Sequence, residues 1–250
     1  MKAFPRPSRR AIGVFAVAIL ASGIAAADTI EVTGLGAGAS FWIDENGTPT
    51  DVDFGGIIDI QLTETGVSGT FERTTMCVQL FTAIDENTVY NTTVVPPSQA
   101  AVTAPTSNAA LEQIAWLLDT YDPVSGNTLT DDQAAGLQLA IWKIAEDGVY
   151  AGASNPFSSG TVEQSTTRHE TTNATILSDA ESYLTDAVGH SSNLAFVYEN
   201  VTTGGVAVQM LEGPQYPTGP GSTPESSTFV LAGVALLALG RMARRKLVSH

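Results

Sequence analysis

The chain has little cysteine, almost no positive charge in its body, and no hydrophobic run long enough to cross a bilayer. Its single cysteine, Cys77, has no intramolecular disulfide partner, so no cross-linked framework holds this fold together. A lone thiol is then buried and inert, free and reactive, or committed to other chemistry. Lysine and arginine together number 11 in 250 residues, and eight of these sit at the two ends. The stretch 28–223 keeps only Arg73, Lys143 and Arg168 against 25 acidic residues, a net charge of −22. Such a body excludes nucleic acid and anionic membrane as partners. It suits solubility in a salty medium.

What apolar sequence there is gathers at the ends. Lys2, Arg6, Arg9 and Arg10 precede an apolar run from Ala11 to Ala21, and Ala25-Ala26-Ala27 follows the small-x-small rule for signal peptidase. Residues 1–27 read as a signal peptide, cut between Ala27 and Asp28; an uncleaved anchor is the alternative. At the other end, Phe229–Leu239 is eleven residues. As a helix it spans about 16 Å, half a hydrocarbon core. Arg241, Arg244, Arg245 and Lys246 follow at once and hold that end in the cytoplasm. A Pro- and Gly-rich spacer, 213–223, precedes it. Polar spacer, short apolar plug and basic stop make residues 224–250 resemble the PEP-CTERM sorting signal, with Pro224-Glu225-Ser226 where that family has Pro-Glu-Pro. The resemblance implies an exosortase as processing partner. It also implies a final place on the surface, outer envelope or extracellular matrix of a Gram-negative bacterium, the tail serving as a transient transmembrane helix. A plain, unprocessed C-terminal anchor is the alternative.

The body, 28–212, has strand patterns at both ends and helices between. Thr29–Val32, Ile57–Leu62 and Thr75–Phe81 alternate or half-alternate, with turn signals at Asn46-Gly47 and Gly55-Gly56. The acidic stretch Asp44–Asp53 lacks EF-hand spacing and reads as a solvated loop. Val94–Asn108 reads as loop. Helices are expected over Ala109–Thr120, from the cap Thr130 to Asp147, and over Thr175–Val188. Thr130 with Gln133 forms a capping box, Asp131 and Asp132 favour the first turn, and Gly148 ends the helix. Leu137, Ala140, Ile141 and Ile144 make its core face. Gly152–Thr172 reads as loop, and Leu194–Glu199 with Val206–Leu211 reads as a hairpin around Thr203-Gly204-Gly205. The fold class is therefore α+β, a β-sandwich or barrel-like domain with an inserted helical subdomain.

Two segments carry chemistry. Met76-Cys77-Val78-Gln79 is a strand with the only thiol, and Leu137-Gln138-Leu139-Ala140-Ile141-Trp142 is a helix with a glutamine before an apolar-Trp pair. Together they resemble the thioester domain of bacterial surface adhesins, which pairs a strand Cys with a helical Gln in the pattern apolar-Gln-x-Ala-apolar-Trp. The resemblance implies a cross-link between Cys77 and Gln138, shielded by Ile141 and Trp142. In it, the thiolate attacks the carboxamide and expels ammonia. Amide to thioester is uphill in water, so the fold must hold the pair together and dry. An amine on a partner surface or matrix then opens the bond and is joined to Gln138, once and without turnover: adhesion, not an enzyme, and with no cofactor or metal.

Competing readings stand beside it. Gln138 is also a simple polar residue on an amphipathic helix. Gln113, in Gln113-Ile114-Ala115-Trp116, is a rival partner; it lacks the preceding apolar residue and one residue of the spacing to Trp. His169 and His190 raise a Cys-His hydrolase without a recognisable nucleophile motif. Lys143 with an Asn suggests an isopeptide by residue type alone. The other function class is a passive matrix or biofilm component whose cysteine is simply buried. The body's one lysine, Lys143, lies about 140° around the helix from Gln138 and is expected to point off the site.

Overall fold

The computed structural model describes residues 27–80, 82–121, 128–167, 170–202, 205 and 207–214. The sorting motif at Pro224 and Glu225, the signal segment before Ala27, and His169 all lie outside the described residues. The class is α+β: an antiparallel sheet of seven strands, a two-stranded ribbon and three long helices.

The chain begins with a long hairpin, β1 (Asp28–Glu45) against β2 (Thr48–Thr63). Asn46 and Gly47 both take positive φ at its tip, as a two-residue turn matched to strand twist requires. β3 (Phe71–Cys77) pairs with β2, and β4 (Val89–Val95) pairs with the start of β1. The chain then leaves the sheet and makes α1 (Asn108–Tyr121), α2 (Asp131–Asp147), the short strands β5 (Val162–Gln164), β6 (Thr166–Thr167) and β7 (Glu170–Thr171), and α3 (Ala174–Ala187). It returns as β8 (Phe196–Val201) beside β4 and β9 (Leu211–Gly213) between β8 and β3. Pairings thus run β1-β2-β3-β9-β8-β4 and back to β1, closing a six-stranded ring, with β5 on the far half of β1. Closure leaves no bare edge along the paired half of β1. The helices are an insertion between two paired neighbours of the barrel, β4 and β8.

Two apolar clusters follow from this layout. Ile30, Val32, Ile58, Ile60, Leu62, Tyr90, Tyr198 and Leu211 fill the barrel. The larger cluster joins the helices to the distal half of the hairpin through Phe41, Ile43 and Val52, and to β3 through Met76. α2 is central to it: every residue from Ala134 to Glu146 is buried. An amphipathic helix with one core face would leave a polar side open. α2 instead has α3, α1 and the β1–β2–β3 surface packed around it. Its N-terminus carries the capping box, with Gln133 N–H donating to Thr130 Oγ1 at 3.3 Å and Thr130 N–H donating to Gln133 Oε1 at 3.0 Å. Gly148 closes it at φ +90°.

Several expectations need correction. Asp44–Asp53 is no loop: Asp44 and Glu45 end β1, and Asp51 and Asp53 lie in β2, so only the tip turns. Among the described residues no cluster of His, Cys, Asp or Glu is placed to hold a metal there. Gly55-Gly56 is not a turn but the middle of β2. A Cβ at Gly55 would collide with the Phe41 ring and one at Gly56 with Ala37 O, so close packing, not chain reversal, demands glycine there. Within the expected loops lie Val94 and Val95, the last two residues of β4, and β5 to β7 in the stretch Gly152–Thr172. The last hairpin is shifted: β8 starts at Phe196, β9 is Leu211–Gly213, and one bridge, Val201 to Ala207, joins the segments near the turn. Gly213 therefore belongs to the barrel and not to the spacer.

Candidate functional site

β3 ends at Cys77, beyond its last pair with β2, Thr75 with Ile58. Cys77 pairs with Leu211 on the β9 side, and Val78 N–H donates to Met210 O at 3.0 Å to continue that ladder. On the other side Cys77 has no strand partner. Gln138 fills the gap from α2: Cys77 N–H donates to Gln138 Oε1 at 3.0 Å, and Gln138 Nε2 donates to Cys77 O at 2.6 Å. A side-chain carboxamide thus takes the place of a strand's peptide group and satisfies both backbone groups of one residue. Gln138 is 1% exposed, which excludes its reading as a solvated polar residue. The two residues that the sequence paired across 61 positions are joined.

The surroundings are largely apolar. Cys77 packs against both the barrel cluster and the helical cluster. Gly55 faces this point: a Cβ there would reach ordinary contact with Gln138 Cγ, at 3.5 Å, and would collide with the Phe41 ring. Ile141 is fully buried and Trp142 is 4% exposed. The Trp142 ring lies 6.2 Å from that of Phe41, the same side chain that covers Gly55. Further along α2, Glu146 Oε1 accepts from Leu80 N–H at 3.3 Å, so α2 holds the segment after β3 at both ends. Burial raises the Glu146 pKa, with Asp147 and Glu45 adding to the rise and the Leu80 N–H opposing it.

Burial also pushes the Cys77 thiol up to about 12, from an ordinary value near 9. The residue keeps part of its surface open, but the dense protein around it desolvates a thiolate. At neutral pH the sulfur is therefore protonated. Chemically, the site presents a protonated thiol beside a carboxamide whose oxygen is polarised by an N–H and whose nitrogen is held by a carbonyl.

The other candidates are placed elsewhere. Gln113 is equally buried, but its Nε2 donates to Tyr150 O at 3.0 Å and Ala187 O at 2.9 Å, and its Oε1 accepts from Tyr150 N–H at 2.7 Å. It ties α1 to the loop after α2 and to the end of α3, and is not bonded to Cys77. The His190 ring stacks on Trp116 at 4.4 Å. Lys143 points off the site: its Nζ donates to Ser159 O at 2.6 Å and Val162 O at 2.8 Å and pairs with Asp147 at 2.5 Å. It is 6% exposed and bound to an acid rather than an Asn.

Sequence reasoning missed Glu212 on β9. It is fully buried, sits opposite Met76 and has neither carboxyl oxygen hydrogen-bonded among the described residues. Burial, then Asp119 nearby, raises its pKa well above the ordinary range. An acidic residue two places before a Pro-Gly spacer gave no sign of burial. No protein-family model, curated protein or solved structure matches this chain, so the reading of the Cys77–Gln138 site rests on its own geometry.

Proposed function

We propose that this chain is an exported surface or matrix protein whose body forms a thioester between Cys77 and Gln138 and uses it to attach covalently to an amine-bearing partner. The observation that carries the reading is the clamp of the Gln138 carboxamide on the backbone of the one cysteine, inside an apolar enclosure. Attack of the sulfur on Gln138 Cδ expels ammonia. A partner amine then displaces the sulfur and leaves a stable amide on Gln138 and a free thiol on Cys77. One event per molecule suffices, so a protonated thiol that reacts slowly still serves. The test is the intact mass of native protein before and after methylamine: the thioester form is lighter by one ammonia and gains one methylamine.

Export and sorting complete the proposal. β1 begins at Asp28 with Ala27 exposed, which accommodates cleavage between them. In a host with an exosortase the tail beyond about Pro224 is removed; peptides containing Lys246 on the mature surface form would contradict this. A second reading has one observation in its favour. The raised pKa of Cys77 suits an inert core thiol, and a passive matrix component would keep Gln138 as a structural clamp only. That form has full mass and releases one titratable thiol on unfolding.

A further inference from the structure

One buried hydrogen-bond donor on α2, one turn after Gln138, has no acceptor among the described residues. Trp142 is buried, and its Nε1 has no hydrogen-bond partner among the described residues. An unpaired buried N–H is costly and uncommon. Trp142 stands one helical turn after Gln138 on the same face of α2. Helical side chains lean toward the N-terminus, so the indole extends over the turn that bears Gln138. Phe41 ties the group together, lying against the Trp142 ring and covering Gly55 next to Gln138 Cγ. Gln138 Oε1 meanwhile accepts a bond from Cys77 N–H, and a carbonyl oxygen has room for a second.

We propose that Trp142 is a catalytic residue of the thioester: its Nε1–H is the second donor to Gln138 Oε1 when negative charge develops on that atom. The proposal rests on the thioester reading. In bond formation the Cys77 Sγ–Cδ bond forms, the Cδ–Nε2 bond breaks, and the thiol proton leaves on ammonia. In opening, the amine nitrogen bonds to Cδ, the Cδ–Sγ bond breaks, and one amine proton ends on the Cys77 sulfur. Both steps pass through a tetrahedral centre with its charge on Oε1. The observed donor, Cys77 N–H, meets that charge from one side and the indole from the other. A donor idle in the ground state and bonded in the transition state accelerates the step without tightening the resting structure. Trp142 thus does more than exclude water.

The experiment uses the full chain as recovered from an expressing bacterium, with methylamine as the probe and opening followed by intact mass. Trp142→Phe keeps an aromatic ring against Phe41 but lacks the N–H together with the second ring of the indole. It is expected to open roughly 100- to 1000-fold more slowly than wild type, the scale of a lost oxyanion donor, with its melting temperature lowered by the space the smaller ring leaves. Opening at the wild-type rate in a folded Trp142→Phe protein overturns the proposal. If that variant does not fold, 4-fluorotryptophan incorporation decides. It makes the indole a stronger donor at nearly constant shape, and faster opening supports the proposal while an unchanged rate overturns it. A wild-type protein of full mass overturns the thioester reading and this proposal together; a wild-type mass deficit with an unaffected Phe variant overturns this proposal alone.

Discussion

Two buried glutamines, on neighbouring helices, use the same device. Gln113 on α1 and Gln138 on α2 are each 1% exposed, and each bonds both ends of its carboxamide to the N–H and C=O of a single distant residue. For Gln113 that residue is Tyr150, whose hydroxyl is occupied with Ala153. For Gln138 it is Cys77. The clamp is therefore a structural element in its own right, a way to end a strand or fix a loop against a helix. What separates the two is the side chain on the clamped residue: a phenol engaged elsewhere in one case, a thiol in an apolar enclosure in the other. The enclosures differ as well. Trp116, three residues after Gln113, is only partly buried and stacks on His190, whereas Trp142, four residues after Gln138, is packed inside. The proposed reactivity rests on the conjunction of clamp, thiol and enclosure, not on the clamp.

The comparison can be broken most sharply by removing each glutamine in turn. Cys77→Ala and Gln138→Ala are each expected to abolish the ammonia deficit completely, and Gln113→Ala to leave it intact, as read by intact mass. Next in size is the thiol itself. In Gln138→Ala, where no thioester forms, Cys77 is expected to alkylate roughly 10³-fold more slowly at pH 8 than in the unfolded chain, from a pKa near 12 against 9. Its rate should climb about tenfold per pH unit toward pH 12; a rate that plateaus near pH 9 would show an ordinary, exposed thiol.

A smaller effect concerns stability. Gln113→Ala leaves Tyr150 N–H, Tyr150 O and Ala187 O without their partner and is expected to cost about 2–4 kcal/mol in denaturant unfolding. The smallest concerns Glu212. Its folded pKa is raised, so between the ordinary value of 4.5 and the raised one the folded chain holds a proton that the unfolded chain has lost. Its contribution is fully present below pH 4.5 and declines as pH rises toward the raised value. Glu212→Gln should flatten that decline in melting temperature between pH 5 and pH 8, and an unchanged slope would place the proton elsewhere.

Legibility in the sequence followed locality. α2 was readable end to end because a capping box and a C-terminal glycine are written within a few residues of the structure they cause. The Cys–Gln pair was readable as a motif, but not the way its halves meet. That depends on the β2–β3 ladder stopping at Thr75, short of Cys77, which no local pattern announces. Gly55-Gly56 misled because a glycine pair marks a turn and a tight packing point equally well; the Phe41 ring that decides between them comes from another strand. Barrel closure by β1 and β4, and the burial of Glu212 opposite Met76, likewise arise from partners far apart in the chain. The competing reading, Gln138 as a simple polar residue on an amphipathic helix, failed for the same reason: α3 covers what periodicity leaves open.

The measurement that bears most directly on the central claim is the intact mass of freshly isolated, untreated protein, taken together with its reaction with a thiol reagent. A Cys77–Gln138 thioester predicts a chain lighter by one ammonia and unreactive toward the reagent. After methylamine, the mass is expected to rise by one methylamine and one thiol to become titratable. A chain of full mass with Cys77 titratable on unfolding, and no change on treatment with methylamine, would contradict it.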